Sequence, residues 1–273
     1  MSSNRPMISE LAHALHADDR WRTMLDGRAP VIFLDYDGVL TPIVDDPAAA
    51  TLDDQVRAVV EDAAAQLTVA VISGRDLDDV RSLVDIAGIA YAGSHGFDML
   101  LPDGSRERKG EEYLDDLDEV ERQARDRLDG PDGVTVERKR YAIAVHTRRV
   151  RDEPTRRRTA RVVRELAEAH RRLRVTGGKD IEEFRPDIDW DKGRALRHLM
   201  DVLGLDTDRH PPVYVGDDLT DEDAFAVVAD VGVGVVVEGE DDRRTAATLR
   251  LDDPAETGDL LRLLVDHATK DTS

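Results

Sequence analysis

Two aspartates that stand two residues apart, Asp35 and Asp37, follow directly on the apolar run VIFL. A continuous apolar run between Pro30 and Gly38 is typical of a strand that is buried on both faces. If the chain turns at Tyr36, both carboxylates can point into one crevice. One can then attack an electrophile, while the other protonates the leaving group and later activates water. Taken alone, DYDG favours an ordinary polar turn, because Asp followed by Gly is a common turn signal.

Two further stretches place polar residues where apolar segments meet glycine. VISGRD ends a second apolar run at Ser73, whose hydroxyl and neighbouring backbone N–H groups could hold phosphate oxygens at a helix start. DKG places Lys192 at a helix N-terminus, where a cation opposes the helix dipole and is more easily explained by a bound anion than by stability. Each has a simpler interpretation, which is a helix cap for Ser73 and a surface lysine for Lys192.

The stretch VYVGDDLTDEDAF places Asp217 and Asp218 at another predicted strand end, with Asp221 and Asp223 just beyond them. So many acids close together need a cation. The chain has no cysteine, so any metal must be held by oxygen or imidazole, and ligation by oxygen alone indicates Mg²⁺. Helix N-capping by Asp221 explains part of this acidic group without a metal.

The elements that must position these residues repeat in the order strand, helix, strand. Apolar runs such as VIFL, TVAVI, IAYA and VGVGVVV alternate with segments whose apolar residues recur at helical spacing, the first helix lying between Ser9 and Leu25. This alternation predicts an α/β fold with a parallel sheet covered by helices, and a ligand crevice at the carboxyl ends of the strands. Asp37, Ser73 and His95 would all lie along that edge.

The pattern changes after LPDGSRERKG, where a charged helix, two strands, another helix and a further strand or hairpin follow. We predict an inserted α+β domain over residues 102–185, with residues 1–101 and 186–273 forming the core. The insertion contains the basic run RRVRDEPTRRRTARVVR, which we interpret as a solvated helix face paired with neighbouring acids.

Composition excludes several classes of function. The formal net charge of −21 argues against nucleic-acid and anionic membrane partners, because phosphate surfaces attract clustered Lys and Arg. Without cysteine there is no disulfide framework and no thiolate nucleophile. The N-terminal stretch lacks the apolar core of a signal peptide, and no apolar run approaches the ~20 residues of a membrane helix. We therefore expect a cytoplasmic protein, monomeric, with a small-molecule ligand. The acid surplus leads to the hypothesis of a salty cytoplasm.

The four stretches DYDGV, SGR, DKG and GDDLTDED occur in the order of the four motifs of the haloacid-dehalogenase superfamily, which the chain resembles. Within it, LDYDGVLTPIVDDP, YAGSHGFD, AVHTR and GKDIEEFRPDIDWDKGRAL are similar to stretches of the trehalose-6-phosphate phosphatases, from about residue 30 to residue 265. The resemblance implies a Rossmann-like parallel-sheet core with an inserted α/β cap domain. It also implies Mg²⁺-dependent hydrolysis of the phosphosugar trehalose 6-phosphate through an aspartyl-phosphate intermediate.

The resemblance also implies roles for the matched positions. Asp35 is the implied nucleophile and a metal ligand, and Asp37 is the general acid/base with its backbone carbonyl on the metal. The other residues implied in metal binding or phosphoryl binding are Asp217, Asp218, Ser73 and Lys192.

For sugar binding, the resemblance implies His95 and Gly96 in a core loop, and Lys179 and Glu183 in the cap. Without the resemblance, a histidine flanked by glycine is more often structural, and Lys179 and Glu183 would form an ion pair on a strand surface. Arg75 either steers the phosphate or caps its helix.

Other functions remain open at this stage. A related phosphatase acting on sucrose phosphate or glucosylglycerol phosphate would carry the same motifs. A sugar-phosphate-binding subunit without catalysis is a second alternative, although a silent domain would not need Asp35, Asp37, Lys192 and Asp217 together. Transfer of the phosphoryl group to another position of a sugar would begin with the same aspartyl-phosphate.

Overall fold

The structure is a computed structural model that describes residues 5–44, 49–128, 130, 133–178, 180–239 and 241–270. The chain divides into two compact units. The first comprises Met1–Glu107 and Trp190–Ser273, and the second comprises Arg108–Asp189.

Thirteen strands among the described residues form two sheets. The strands of the larger sheet are β1 (Ala12–His13), β2 (Val31–Leu34), β3 (Thr68–Ile72), β4 (Ala90–Gly93), β5 (Asp98–Leu100), β6 (Arg106–Arg108), β11 (Pro212–Gly216), β12 (Val233–Val237) and β13 (Leu249–Leu251). The strands of the smaller sheet are β7 (Thr135–Lys139), β8 (Ala142–His146), β9 (Leu173–Gly178) and β10 (Ile181–Pro186).

The α-helices of the described residues alternate with these strands. They are α1 (Asp18–Leu25), α2 (Asp54–Ala64), α3 (Leu77–Val84), α4 (Leu114–Leu128), α5 (Glu153–Ala169), α6 (Lys192–Val202), α7 (Glu222–Val228) and α8 (Glu256–Lys270). Across the described part of the chain, none is long and apolar enough to cross a membrane.

The larger sheet has the order β1-β13-β12-β11-β2-β3-β4-β5-β6. The seven neighbouring strands β1-β13-β12-β11-β2-β3-β4 of this order pair in parallel. Both faces are covered, because side chains of β2 alternate between two apolar clusters. Ile32 and Leu34 pack on the side of α1, α2, α3 and α8, whereas Val31 and Phe33 pack on the side of α6 and α7. The predicted α/β fold with a parallel sheet covered by helices is confirmed.

Several short elements at the sheet edges were not predicted. The helix predicted from Ser9 to Leu25 begins only at Asp18, because the residues before it include β1, which pairs with β13 at one edge of the larger sheet. At the other edge β5 pairs antiparallel with β4, and β6 follows it in the sheet. These strands have two or three residues, which is too short for a hydrophobic period to appear.

The second unit contains an antiparallel sheet of order β7-β8-β10-β9 with an apolar cluster that includes residues of α4 and α5. The two predicted strands correspond to β7 and β8, and where a further strand or hairpin was predicted, β9 and β10 pair antiparallel. The unit begins at residue 108, six residues after the predicted start at 102. It ends at residue 189, four residues after the predicted end at 185. Residues 102–107 group with the first unit, where the Arg106 guanidinium donates to both carboxylate oxygens of Asp98 at 2.7 Å.

Candidate active site

The candidate site begins where β2 ends. Asp35 is only 6% exposed, and its backbone N–H continues the pairing with β11 by donating to the carbonyl of Val215 at 3.0 Å. Gly38 adopts a φ of +74°, and a Cβ there would lie 2.2 Å from the Asp217 carboxylate. The glycine of DYDG therefore lets the turn after β2 approach the aspartate that follows β11.

Three carboxylates meet between the ends of these neighbouring strands. Asp35, Asp217 and Asp221 each offer an oxygen that lies within 4.8 Å of the other two. Burial raises the pKa of Asp35 to about 7, against the opposing effect of Lys192. Burial and the carboxylates of Asp35 and Asp221 raise the pKa of Asp217 to about 8. The crowding of like charges leaves an excess of negative charge, which an oxygen-binding divalent cation such as Mg²⁺ would relieve.

Lys192, the first residue of α6, brings an ammonium group into this acidic cluster. Its side chain is 2% exposed, and Nζ donates to Asp35 Oδ2 at 2.5 Å and to Asp221 Oδ1 at 2.7 Å. Burial opposes its charge, but Asp221 and Asp35 outweigh burial and raise the pKa of Lys192 above its ordinary value. The predicted lysine at a helix N-terminus is therefore a buried cation held by two anions, and the surface-lysine interpretation is wrong.

Asp221 is a site residue that the sequence interpretation treated as a helix cap. It is fully buried, and its Oδ2 accepts the backbone N–H groups of Asp217 and Asp218 at 3.0 and 2.9 Å. Its Oδ1 accepts from Lys192 Nζ and from the Tyr214 hydroxyl. Because donors occupy both oxygens, Asp221 is suited to orienting Lys192 and the loop after β11. The spacing of four residues from Asp217 was the signal in the sequence.

Asp218 lies outside the carboxylate cluster. It is exposed, and its Oδ1 accepts the backbone N–H of Leu219 at 2.6 Å, so its carboxylate caps the short 3₁₀ helix Leu219–Asp221. The cluster contains Asp221 in the place where the sequence prediction had Asp218. Asp218 is therefore not one of the three carboxylates that lie close enough together to share a metal ion.

A second contact to this loop was not predicted. The Arg243 guanidinium donates to the backbone carbonyl of Asp217 at 2.9 Å and also pairs with Glu222. Together with the bond from the Asp217 N–H to Asp221, this contact holds the peptide groups on both sides of Asp217. Arg243 lies far from Asp217 along the chain and is not part of a recognisable motif, so the sequence did not indicate this contact.

Asp37 is bound by Arg75 on both carboxylate oxygens. Arg75 Nε donates to Oδ2 at 2.8 Å and Nη2 donates to Oδ1 at 2.7 Å, while Nη1 donates to Asp79 at 3.1 Å. The guanidinium also lies over the ring of Tyr36, 5.2 Å from its centroid. The structure thus places the Arg75 side chain on Asp37, an arrangement that neither of the two predicted roles described.

Ser73 directly follows β3 and is fully buried. Its hydroxyl accepts the backbone N–H of Arg75 at 3.2 Å, and its carbonyl accepts the backbone N–H of His95 at 2.8 Å. The loops SGR and GSHG are therefore joined. A Cβ on Gly74 would lie 2.9 Å from the His95 ring, which explains why a glycine follows Ser73.

Gly96 has a packing role. Its φ is +89°, and a Cβ there would lie 2.3 Å from the Cβ of Ala195 on α6. The loop that contains His95 and Gly96 thus packs on the helix that carries Lys192 at its start. The structure brings both residues to the same sheet edge as Ser73, as predicted, and their sugar-binding roles stay predictions.

The predicted sugar-binding residue Glu183 of the second unit is bound by two cations. Glu183 on β10 is 7% exposed, and its carboxylate accepts from Lys139 Nζ at 2.7 Å and from Arg185. Burial alone would raise the pKa of Glu183, but Lys139 and Arg185 lower it to about 2. Its observed partner on β7 is Lys139, whereas Lys179 lies outside the described residues.

Comparison with known proteins adds an independent line of evidence. The trehalose-phosphatase family model matches residues 33–255 of this chain. The trehalose-phosphate phosphatase of Mycobacterium marinum is 43% identical over 260 residues, covering 92% of this chain and 65% of that protein. A Mycobacterium tuberculosis protein described as an uncharacterized glycosyl hydrolase is 46% identical over 93% of this chain. The chain spans 20% of that second relative's length.

Solved structures agree with the fold. Aspergillus fumigatus trehalose-6-phosphate phosphatase superimposes with a TM-score of 0.65 at 27% identity, covering 93% of this chain and 99% of the other. A trehalose-6-phosphate phosphatase related protein superimposes with a TM-score of 0.73 at 23% identity, covering 88% of this chain and 99% of the other. A haloacid dehalogenase-like hydrolase from Bacteroides thetaiotaomicron has a TM-score of 0.61 at 14% identity, covering 87% of this chain and 98% of the other. This similarity supports the fold alone. Because the family model matches residues 33–255 and a relative is 43% identical over 260 residues, this chain belongs to the trehalose-phosphatase family.

Proposed function

We propose that this chain is a Mg²⁺-dependent phosphatase that hydrolyses trehalose 6-phosphate to trehalose and phosphate through an aspartyl-phosphate on Asp35. The observation that carries the proposal is the buried contact of Asp35 with Lys192, beside the carboxylate of Asp217. A nucleophilic carboxylate, a permanent cation and oxygen ligands for a metal are the parts that phosphoryl transfer needs. The relatives named trehalose-phosphate phosphatases support the choice of substrate.

In the first half of the proposed reaction, an oxygen of Asp35 forms a bond to phosphorus as the bond to the sugar oxygen breaks. Asp37 gives its proton to that sugar oxygen. In the second half, Asp37 takes a proton from water, which attacks the phosphorus and releases Asp35. Ser73 and Lys192 hold the phosphoryl oxygens, and removing one such electrostatic stabiliser commonly costs about 100-fold or more in turnover.

The metal site is proposed at the carboxylates of Asp35 and Asp217 and the backbone carbonyl of Asp37. Mg²⁺ bound there would neutralise negative charge on the acids and on the transferred group. Asp221 supports this site by holding Lys192 and the backbone of Asp217 in place. Lys192 and the metal together explain how a protein of net charge −21 can bind an anionic substrate, because the field is made positive locally.

For the sugar, we propose contacts from His95 and Gly96 in the first unit, and from Lys179 and Glu183 in the second. The first unit would be the catalytic core and Arg108–Asp189 the cap. The carboxylate of Glu183 supports this role, because it stays ionised on its two cationic partners and can accept further hydrogen bonds from hydroxyl groups. A Glu183→Gln variant should raise KM for the sugar phosphate more than it lowers kcat. Cytoplasmic location and a monomeric state stay predictions from the sequence.

The test is phosphate release from a panel of phosphosugars by the wild type and by Asp35→Asn, with and without Mg²⁺. We expect trehalose 6-phosphate to have the highest kcat/KM, and the variant to be inactive while keeping the wild-type circular dichroism spectrum. Equal kcat/KM across the panel would favour a phosphatase for another phosphosugar. Activity that survives in Asp35→Asn would refute the nucleophile, and binding without turnover in the wild type would favour a sugar-phosphate-binding subunit.

A further inference from the structure

The contact between Arg75 and Asp37 has the geometry of a positioning device. The guanidinium meets the carboxylate side-on, with Nε and Nη2 each donating to a different oxygen at 2.8 and 2.7 Å. Two parallel bonds fix the rotation of a carboxylate, which a single bond does not. Asp37 needs this support, because its side chain is 42% exposed and would otherwise sample several rotamers in water.

Arg75 is itself held by three contacts that do not involve its partly exposed partner, Asp37. Its side chain is only 10% exposed, Nη1 donates to Asp79 at 3.1 Å, and its guanidinium lies over the Tyr36 ring. Its backbone N–H donates to the hydroxyl of Ser73. These contacts hold the guanidinium independently of its two bonds to Asp37.

We propose that Arg75 is a positioning residue that aims the carboxyl group of Asp37 at the leaving oxygen of the substrate, with Asp79 as its anchor. This inference rests on the proposed function. Arg75 exchanges no proton: Asp37 gives its proton to the sugar oxygen as the phosphorus–oxygen bond breaks, and Arg75 only fixes where that proton is delivered. Loss of such a positioning side chain should lower kcat/KM most for substrates whose leaving group must be protonated as it leaves.

The experiment compares two kinds of phosphate ester in Arg75→Lys and Asp79→Asn. A sugar alkoxide must be protonated as it leaves, whereas 4-nitrophenolate leaves without a proton. We expect Arg75→Lys to lower kcat/KM for trehalose 6-phosphate about 10- to 100-fold, because small misplacements of a catalytic group cost that much. The same variant should change kcat/KM for 4-nitrophenyl phosphate less than about 3-fold. Asp79→Asn should show the same contrast with a smaller loss.

The choice of lysine separates charge from geometry. Lysine keeps the positive charge but cannot form the two side-on bonds, so a role in attracting phosphate would survive the substitution. Equal losses on both esters would overturn the proposal, because they would indicate damage to the fold or to a step that both esters share. No loss on the sugar phosphate would also overturn it. If the wild type prefers another phosphosugar, that ester replaces trehalose 6-phosphate in the comparison, so an error in the proposed substrate leaves this test intact.

Discussion

At the scale of single residues, the aspartates that follow β2 and β11 have different tasks because their partners differ. Asp35 is buried against Lys192, Asp37 is bound by Arg75, and Asp218 is exposed and caps a turn. Asp221 has no exposed surface and accepts bonds from Lys192, Tyr214 and two backbone N–H groups. Only a carboxylate can accept from all these donors without carrying a competing donor of its own.

Replacement of Asp221 by Asn tests this assignment. The amide group of Asn would point a donor at existing donors and leave Lys192 with one anionic partner, so the free energy of unfolding should fall by about 3 kcal/mol. The matched control is Tyr214→Phe, which removes one donor to Asp221 and should cost about 1 kcal/mol. Urea unfolding followed by circular dichroism measures both. An Asp221→Asn protein as stable as the wild type would show that the carboxylate only caps a turn.

At the scale of elements, the contact between α6 and α7 determines the position of Lys192. A Cβ on Gly193 would lie 2.4 Å from the backbone carbonyl oxygen of Asp223. The two helices can approach this closely only if a glycine follows Lys192. The sequence DKG thus combines the cation with the residue that lets its helix reach the acidic cluster.

Gly193→Ala should therefore push α6 away from α7. We expect a loss of about 1–3 kcal/mol in the free energy of unfolding, as for other overpacked sites, and a fall in kcat because Lys192 moves with α6. Gly258→Ala in α8 is the matched control, since a Cβ there meets only Arg262 at 3.8 Å and Val59 at 4.0 Å. That substitution should stabilise the protein by about 0.5–1 kcal/mol. Thermal unfolding measures both changes. If both substitutions raised or both lowered the melting temperature, the packing argument would be contradicted.

At the scale of the whole molecule, charge is divided unevenly between the two units. Residues 108–189 carry 21 Lys and Arg against 20 Asp and Glu, whereas the rest of the chain carries 17 against 39. The net charges are therefore +1 and −22. The basic run of the sequence balances the second unit, where Arg156 pairs with Asp180 and Arg172 with Asp116. The acidity of the protein is a property of its first unit.

Salt should stabilise a unit with so large a charge. Raising the ionic strength from about 0.01 M to about 1 M shortens the Debye length from about 30 Å to about 3 Å and screens the repulsion between its carboxylates. We expect the melting temperature to rise by several degrees with NaCl, and far less with a neutral osmolyte at the same osmolality. A melting temperature that is insensitive to salt would remove the basis for the salty-cytoplasm hypothesis.

Stability should also depend jointly on pH and Mg²⁺. Without metal, the folded state raises the pKa values of Asp35 and Asp217 to about 7 and 8, so it binds protons more tightly than the unfolded chain. The contribution of these groups to stability is therefore present at about pH 4 and is lost as the pH rises towards about 8. Because the metal competes with those protons, Mg²⁺ should raise the melting temperature more at about pH 8.5 than at about pH 5.5.

The control for the metal prediction is Asp217→Asn, which should lose the Mg²⁺-dependent rise at both pH values. Differential scanning fluorimetry on the same protein preparations gives all the required comparisons. An equal rise at both pH values, or a rise that Asp217→Asn retains, would place the metal away from this cluster.

The sequence by itself determined the sheet interior and the positions of the four motifs. Continuous apolar runs such as VIFL and VYVG are typical of strands buried on both faces, and parallel strands bring their carboxyl ends to one edge. The residues that follow those runs, among them Asp35, Ser73 and Asp217, were therefore located by local pattern. Their order along the chain also indicated the family, which the family model and the relatives confirm.

Only the tertiary structure decided which polar groups become partners. The contacts of Arg75 with Asp37 and of Arg243 with Asp217 join loops that follow different strands, and such loops carry no periodicity that a sequence pattern could reveal. The choice of Asp221 over Asp218 depended on which carboxylate the turn after β11 buries. Burial and pairing of charges are long-range properties, so they arise only when the strands, helices and loops have been packed together.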